Sequence, residues 1–123
     1  MNKPAPRVLI IDDEPRILAA LQRSLRREGY EIQVAEGPRE GLRALAESEF
    51  DVVLSDHRMP RISGLDVLAE AARTQPRACL FLVTGWPDSV PQSQLQKLGV
   101  VALVPKPWDD AALKETLRKA LGL

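Results

Sequence analysis

Five side chains that could do chemistry stand where short apolar runs of the sequence stop. Asp12 and Asp13 follow Val8-Leu9-Ile10-Ile11, Asp56 follows Val52-Val53-Leu54-Ser55, Thr84 follows Cys79-Leu80-Phe81-Leu82-Val83, and Lys106 follows Val101-Ala102-Leu103-Val104-Pro105. Each alone has an ordinary explanation. Asp12, Asp13 and Glu14 could cap and charge a helix N-terminus. Asp56 could close an Asx turn, Thr84 before Gly85 could be a turn residue, and Lys106 could be a solvated loop lysine. Their shared position at run ends changes the reading. If the runs are neighbouring parallel strands, three carboxylates, a hydroxyl and an ammonium converge on one edge, where such sheets bind ligands. Crowded carboxylates repel, and one pKa rises unless a cation neutralises them. All-oxygen ligation suits Mg²⁺, which typically takes one or two carboxylates together with substrate phosphate oxygens. A chain with one histidine and one cysteine is poorly equipped for zinc.

The elements that must position these residues alternate along the chain. Candidate strands are Val8–Ile11, Glu31–Ala35, Val52–Ser55, Cys79–Val83 and Val101–Val104. The first, third and fourth are almost continuously apolar, as parallel strands covered on both faces are, whereas the second alternates and belongs at an edge. Between them, Ile17, Leu18, Leu21 and Leu25 repeat at helical spacing, with Pro15 at N1 and Gly29 past the end. Pro38–Ser48, Gly64–Arg73 and Asp109–Leu121 also gather their apolar residues on one side. Pro87 and Pro91 confine the fourth helix to about residues 92–98, before Gly99. Five βα units with right-handed crossovers predict an α/β fold: a doubly wound, flavodoxin-like, five-stranded parallel sheet of order 2-1-3-4-5 with five helices.

A chain of 123 residues is expected to form one domain, 1–123, with its core at about 6–121. Its 45% hydrophobic and 28% charged residues suit neither a disordered nor a collagenous chain. Seventeen basic residues balance seventeen acidic ones, so no overall field draws it to nucleic acid or an anionic membrane. Cys79 lies inside an apolar run and reads as core. The N-terminus shows no secretory h-region and no membrane span of roughly 20 apolar residues, so a cytoplasmic, soluble protein is expected.

Taken together, Ile10-Ile11-Asp12-Asp13-Glu14-Pro15, Leu54-Ser55-Asp56-His57-Arg58-Met59-Pro60, Ser63-Gly64, Val83-Thr84-Gly85 and Lys106-Pro107 resemble, in order and spacing, the signatures of response-regulator receiver domains. The resemblance covers roughly residues 6–121. It implies that Asp56 is the phosphoacceptor nucleophile of a two-component phosphorelay, attacking the phosphorus of a phosphohistidine or a small phosphodonor. It also implies that Asp13 and Asp56 ligate Mg²⁺ directly, that Asp12 does so mainly through water, and that the Arg58 carbonyl completes the set. Lys106 and Thr84 would contact the phosphoryl oxygens, and Lys106–Pro107 would be a cis peptide. The implied partners are a sensor histidine kinase or phosphotransfer protein, and an output domain or effector on the face of the fourth helix, fifth strand and fifth helix. No direct nucleic-acid or membrane partner is expected. The Lys106-Pro107-Trp108-Asp109 ending is similar to receivers attached to signalling enzyme domains.

The chain departs from the family at the switch. Receivers usually carry an aromatic residue three positions before the lysine, coupled to the threonine; here that position is Leu103. Arg58 and Trp86, each two positions beyond its key residue, are expected to flank the mouth of the site, Trp108 to pack, and His57 to point away without a catalytic role. Other classes remain. A pseudo-receiver would dock without phosphate, and Leu103 favours it, whereas the retained five-residue site opposes it. A flavodoxin is excluded because Asp12-Asp13-Glu14 would repel a flavin phosphate. A haloacid-dehalogenase phosphatase needs a second aspartate two residues beyond its nucleophile, a spacing Asp12-Asp13 lacks.

Overall fold

The computed structural model describes residues 4–123. Along the chain run β1 (Arg7–Asp12), α1 (Pro15–Leu25), β2 (Glu31–Glu36), α2 (Pro38–Glu47), β3 (Val52–Asp56), α3 (Gly64–Thr74), β4 (Cys79–Thr84), α4 (Gln92–Leu98), β5 (Val100–Pro105) and α5 (Asp110–Leu121). All neighbouring strands pair in parallel, in the order β2-β1-β3-β4-β5. The predicted flavodoxin-like sheet is therefore the one observed, and the alternating strand β2 lies at an edge.

Side-chain alternation divides the strand residues between two cores. Leu9, Ile11, Val53 and Leu82 face α2, α3 and α4, whereas Val8, Ile10, Leu54, Phe81 and Val83 face α1 and α5. Both faces of β1, β3 and β4 are covered, which is why their sequences carry no polar alternation. Burying one such leucine or isoleucine contributes about 2 kcal/mol. Gly41 of α2 lies so close to β1 that a Cβ would stand 2.8 Å from the Ile11 side chain.

The boundaries depart from the sequence reading in a few places. α1 stops at Leu25 rather than just before Gly29, because residues 26–29 form a turn that Gly29, at φ 83°, redirects into β2. A 3₁₀ turn at Pro87–Ser89, unforeseen in the sequence, precedes α4. Cys79 is only half-buried, because it begins β4 at the periphery of the core; burial and then Asp51 push its pKa up, which keeps the thiol protonated. Among the described residues no helix is long and apolar enough to cross a membrane.

Candidate functional site

The strand register brings the five chemical residues to one edge. Ile11 pairs with Ser55, Asp56 with Val83 and Thr84 with Pro105, so the carboxyl ends of β1, β3, β4 and β5 are level. The next residue after β5 is held by its backbone, the Lys106 N–H donating to the Thr84 carbonyl at 2.9 Å. The Lys106–Pro107 peptide is cis.

Lys106 Nζ donates to Asp56 Oδ1 at 2.9 Å and to Asp12 Oδ2 at 3.0 Å. The other Asp12 oxygen accepts the Glu14 N–H at 2.8 Å. Oxygens of Asp12, Asp13 and Asp56 lie within 4.8 Å of one another. Asp12 is 1% exposed and Asp56 7%, whereas Asp13 is partly open to solvent. Burial raises the Asp12 pKa above the ordinary 3.8, and the charge of Asp56 adds to it, against the Glu14 N–H and Lys106, which lower it. Burial also pulls on Lys106, but its hydrogen bonds to Asp56 and Asp12 outweigh that pull and hold its pKa above 10.5. The lysine stays charged, and with all three carboxylates ionised two negative charges remain unbalanced. An all-oxygen pocket with this surplus fits a hard divalent cation.

The loop after β3 is pinned by its own backbone. Gly64 N–H donates to the His57 carbonyl at 2.8 Å, and a Cβ on Gly64 would stand 1.9 Å from the Asp56 carbonyl oxygen. No other residue fits there. A capping box between Ser63 and Asp66 starts α3 at that contact. Arg61, at φ 71°, is the centre of a three-residue turn closed by Ile62 N–H to Pro60 O at 2.8 Å, a strained conformation for a residue with a side chain. Nothing in the spacing of the sequence announced it.

Of the two residues expected to flank the mouth, the Arg58 guanidinium lies 4.5 Å from the centroid of the Trp86 ring, and Trp86 is 60% exposed. Thr84 is buried, and its Oγ1 accepts the Trp86 N–H at 3.0 Å. Leu103 is partly buried and packs into the core beneath α3 and α4. Trp108 packs against the α1–α5 core, and its Nε1–H reaches Ser24 Oγ at 3.0 Å and Asp110 Oδ1 at 3.2 Å. His57 Nδ1 is buried without a hydrogen-bond partner.

The sheet order and the acidic carboxyl edge define a flavodoxin-like receiver fold. The chain belongs to the response regulator receiver domain family, which matches residues 8–118. It is 37% identical to the transcriptional regulatory protein GlrR of Escherichia coli K12 over 98% of its own length, but spans only 27% of that relative. Among solved structures, the signal receiver domain of an HD domain-containing protein from Pseudomonas fluorescens Pf-5 superposes with a TM-score of 0.89 at 32% identity, covering 96% of this chain and 95% of that one. The response regulator TrrA of Thermotoga maritima, solved with Mg²⁺ and BeF, gives 0.83 at 35% identity, covering 94% and 98%. Several relatives are named as transcriptional regulators, so the expected absence of a nucleic-acid partner finds no support in them.

Proposed function

We propose that the whole chain, 1–123, is one receiver unit that takes a phosphoryl group onto Asp56 in a Mg²⁺-dependent reaction. The observation that carries this is the Lys106 ammonium placed between Asp12 and Asp56, with two negative charges left for a divalent ion. An Asp56 carboxylate oxygen forms the new bond to phosphorus while the bond to the donor breaks, the donor being a phosphohistidine of a sensor kinase or phosphotransfer protein. Asp12, Asp13, Asp56 and the Arg58 carbonyl would hold Mg²⁺, which supplies charge neutralisation for the transferring group. Lys106 steadies the phosphoryl oxygens, and Thr84 donates its hydroxyl to one of them. The output leaves through the α4–β5–α5 face to an effector or an attached domain, and the natural setting is the cytoplasm.

Intact-mass spectrometry with Mg²⁺ and acetyl phosphate tests this directly. One phosphoryl mass is expected, dependent on Mg²⁺ and absent in Asp56→Ala; an adduct that survives in Asp56→Ala would sink the assignment. Leu103 favours a second reading, a docking module independent of phosphate, and failure of both Mg²⁺ binding and adduct formation would select it. Arg58 and Trp86 at the mouth limit water access, so replacing both by serine should change the autodephosphorylation rate several-fold. An unaltered phosphoaspartate lifetime would remove that role.

A further inference from the structure

Lys106 carries its ammonium to Asp56 and Asp12 from the first residue past β5, and the loop it stands on has few attachments of its own. Its N–H donates to the Thr84 carbonyl at 2.9 Å; among the described residues, Pro107, Trp108 and Asp109 donate no backbone hydrogen bond. The far end of the loop is fastened by the Trp108 side chain. Its Nε1–H is shared between Ser24 Oγ at 3.0 Å and Asp110 Oδ1 at 3.2 Å, and the Ser24 hydroxyl donates to the same Asp110 oxygen at 2.5 Å. The indole, the hydroxyl and the carboxylate close a triangle across α1, the loop and the first residue of α5. A phenylalanine at position 108 would fill the same space and leave that triangle open. Ser24 is a polar residue near the end of an amphipathic helix, and its hydroxyl reaches across to another element instead of back to its own turn. Two turns earlier on the same face of α1, Ile17 shares a shallow groove with Lys106, Pro107 and Trp108.

We infer that Trp108 is a positioning residue for Lys106: clamped to Ser24 and Asp110, it fixes the loop 106–109 and so holds the ammonium between Asp56 and Asp12. A lysine stem has many rotamers, and an ammonium borne on a loose loop would spend part of its time in solvent. A loop fastened at both ends removes one source of that spread, as preorganised charge stabilisation requires. The inference rests on the reading of Lys106 as the residue that meets the phosphoryl oxygens. Trp108 itself hydrogen-bonds only Ser24 and Asp110, so it acts on the reaction through Lys106 alone, whereas Asp12 and Asp56 keep their places on β1 and β3 without it.

Lysine-selective ¹⁵N labelling of the full chain reads the ammonium directly. A hydrogen-bonded ammonium exchanges with water slowly enough to give a proton–nitrogen cross-peak, and that of Lys106 is assigned by its loss in Lys106→Arg. Trp108→Phe should broaden the peak or move it toward those of the solvated lysines. Ser24→Ala, which leaves Asp110 as an acceptor, should do so less, and Ser24→Thr, which keeps a hydroxyl, should leave it in place. Intact-mass kinetics with acetyl phosphate should follow the same order, the rate of adduct formation at saturating Mg²⁺ and donor falling several-fold in Trp108→Phe with no rise in the Mg²⁺ concentration needed for half the effect. Urea unfolding establishes that each variant is folded, and the comparison of Ser24→Ala with Ser24→Thr carries the test should Trp108→Phe fail to fold. A Lys106 peak or an adduct rate unchanged in folded Trp108→Phe overturns the inference, as does a wild type without a protected Lys106 peak. Rate and Mg²⁺ affinity falling together, with Ser24→Thr no better than Ser24→Ala, would mean general loosening and overturn it too. A wild type that shows the Lys106 peak but forms no adduct overturns the phosphoacceptor reading instead, and the part of Trp108 in the reaction with it.

Discussion

Lys106 stands between two buried aspartates and can neutralise only one of them, and Asp12, the more deeply buried, carries the cost. Because the folded pKa of Asp12 is raised, the folded state holds its proton more tightly than the unfolded chain. Stability from this group is therefore full below pH 3.8 and is lost as pH rises through the folded pKa, so at neutral pH ionised Asp12 destabilises the metal-free protein. Asp12→Asn keeps an oxygen for the Glu14 N–H and removes the charge. Its thermal midpoint in EDTA at neutral pH should exceed that of the wild type, and added Mg²⁺ should raise it less. A lower midpoint would show that the Lys106–Asp12 pair outweighs the burial. At the same scale, Gly64→Ala drives a Cβ into the Asp56 carbonyl, a backbone atom with nowhere to go. A loss of about 3 kcal/mol is expected, read as a lower urea midpoint at unchanged slope.

At the scale of elements, what is local in sequence was legible and what is made by tertiary approach was not. The strands were readable to within a residue at each end because continuous apolar runs such as Val52–Leu54 fit a central strand covered by helices on both faces. Asp12, Asp13, Asp56, Thr84 and Lys106 were readable because run ends in a parallel sheet share an edge. The Arg58–Trp86 stack was not, since spacing reveals nothing of where a guanidinium lies. Gln75 was missed for the same reason. It ends α3 as an ordinary polar residue in the sequence, yet in the fold it is 8% exposed, donates to the Leu45 and Ser48 carbonyls and accepts the Phe50 N–H. It ties the ends of α2 and α3 to the start of β3, at the opposite edge of the sheet from the site. Gln75→Leu leaves two buried backbone groups and one partly buried one without their side-chain partner, a loss of roughly 3 kcal/mol by chemical denaturation. The folded variant should still form the Asp56 adduct; a variant that folds fully but forms none would mean that this staple also shapes the site.

On the scale of the whole molecule, seventeen positive and seventeen negative side chains cancel, so the negative charge gathered at Asp12, Asp13 and Asp56 is a local feature and not the field of a net-acidic chain. Two kinds of cation effect can then be separated. General screening by salt has little net charge to act on, whereas a divalent ion at Asp12, Asp13 and Asp56 binds only the folded chain and stabilises it by linkage. At a hundred times its dissociation constant the gain is about 2.7 kcal/mol, which at about 4 °C per kcal/mol raises the thermal midpoint by roughly 10 °C. A protonated carboxyl cannot ligate, and burial raises the pH below which Asp12 takes up its proton, so proton and ion compete there. The Mg²⁺-induced rise should be largest near neutrality and shrink as pH falls through the raised Asp12 pKa toward 3.8. Differential scanning fluorimetry over that range, with sodium chloride at matched ionic strength as the control, reads both effects. An equal rise with sodium chloride would assign the stabilisation to screening, and a rise independent of pH would place the ion away from Asp12.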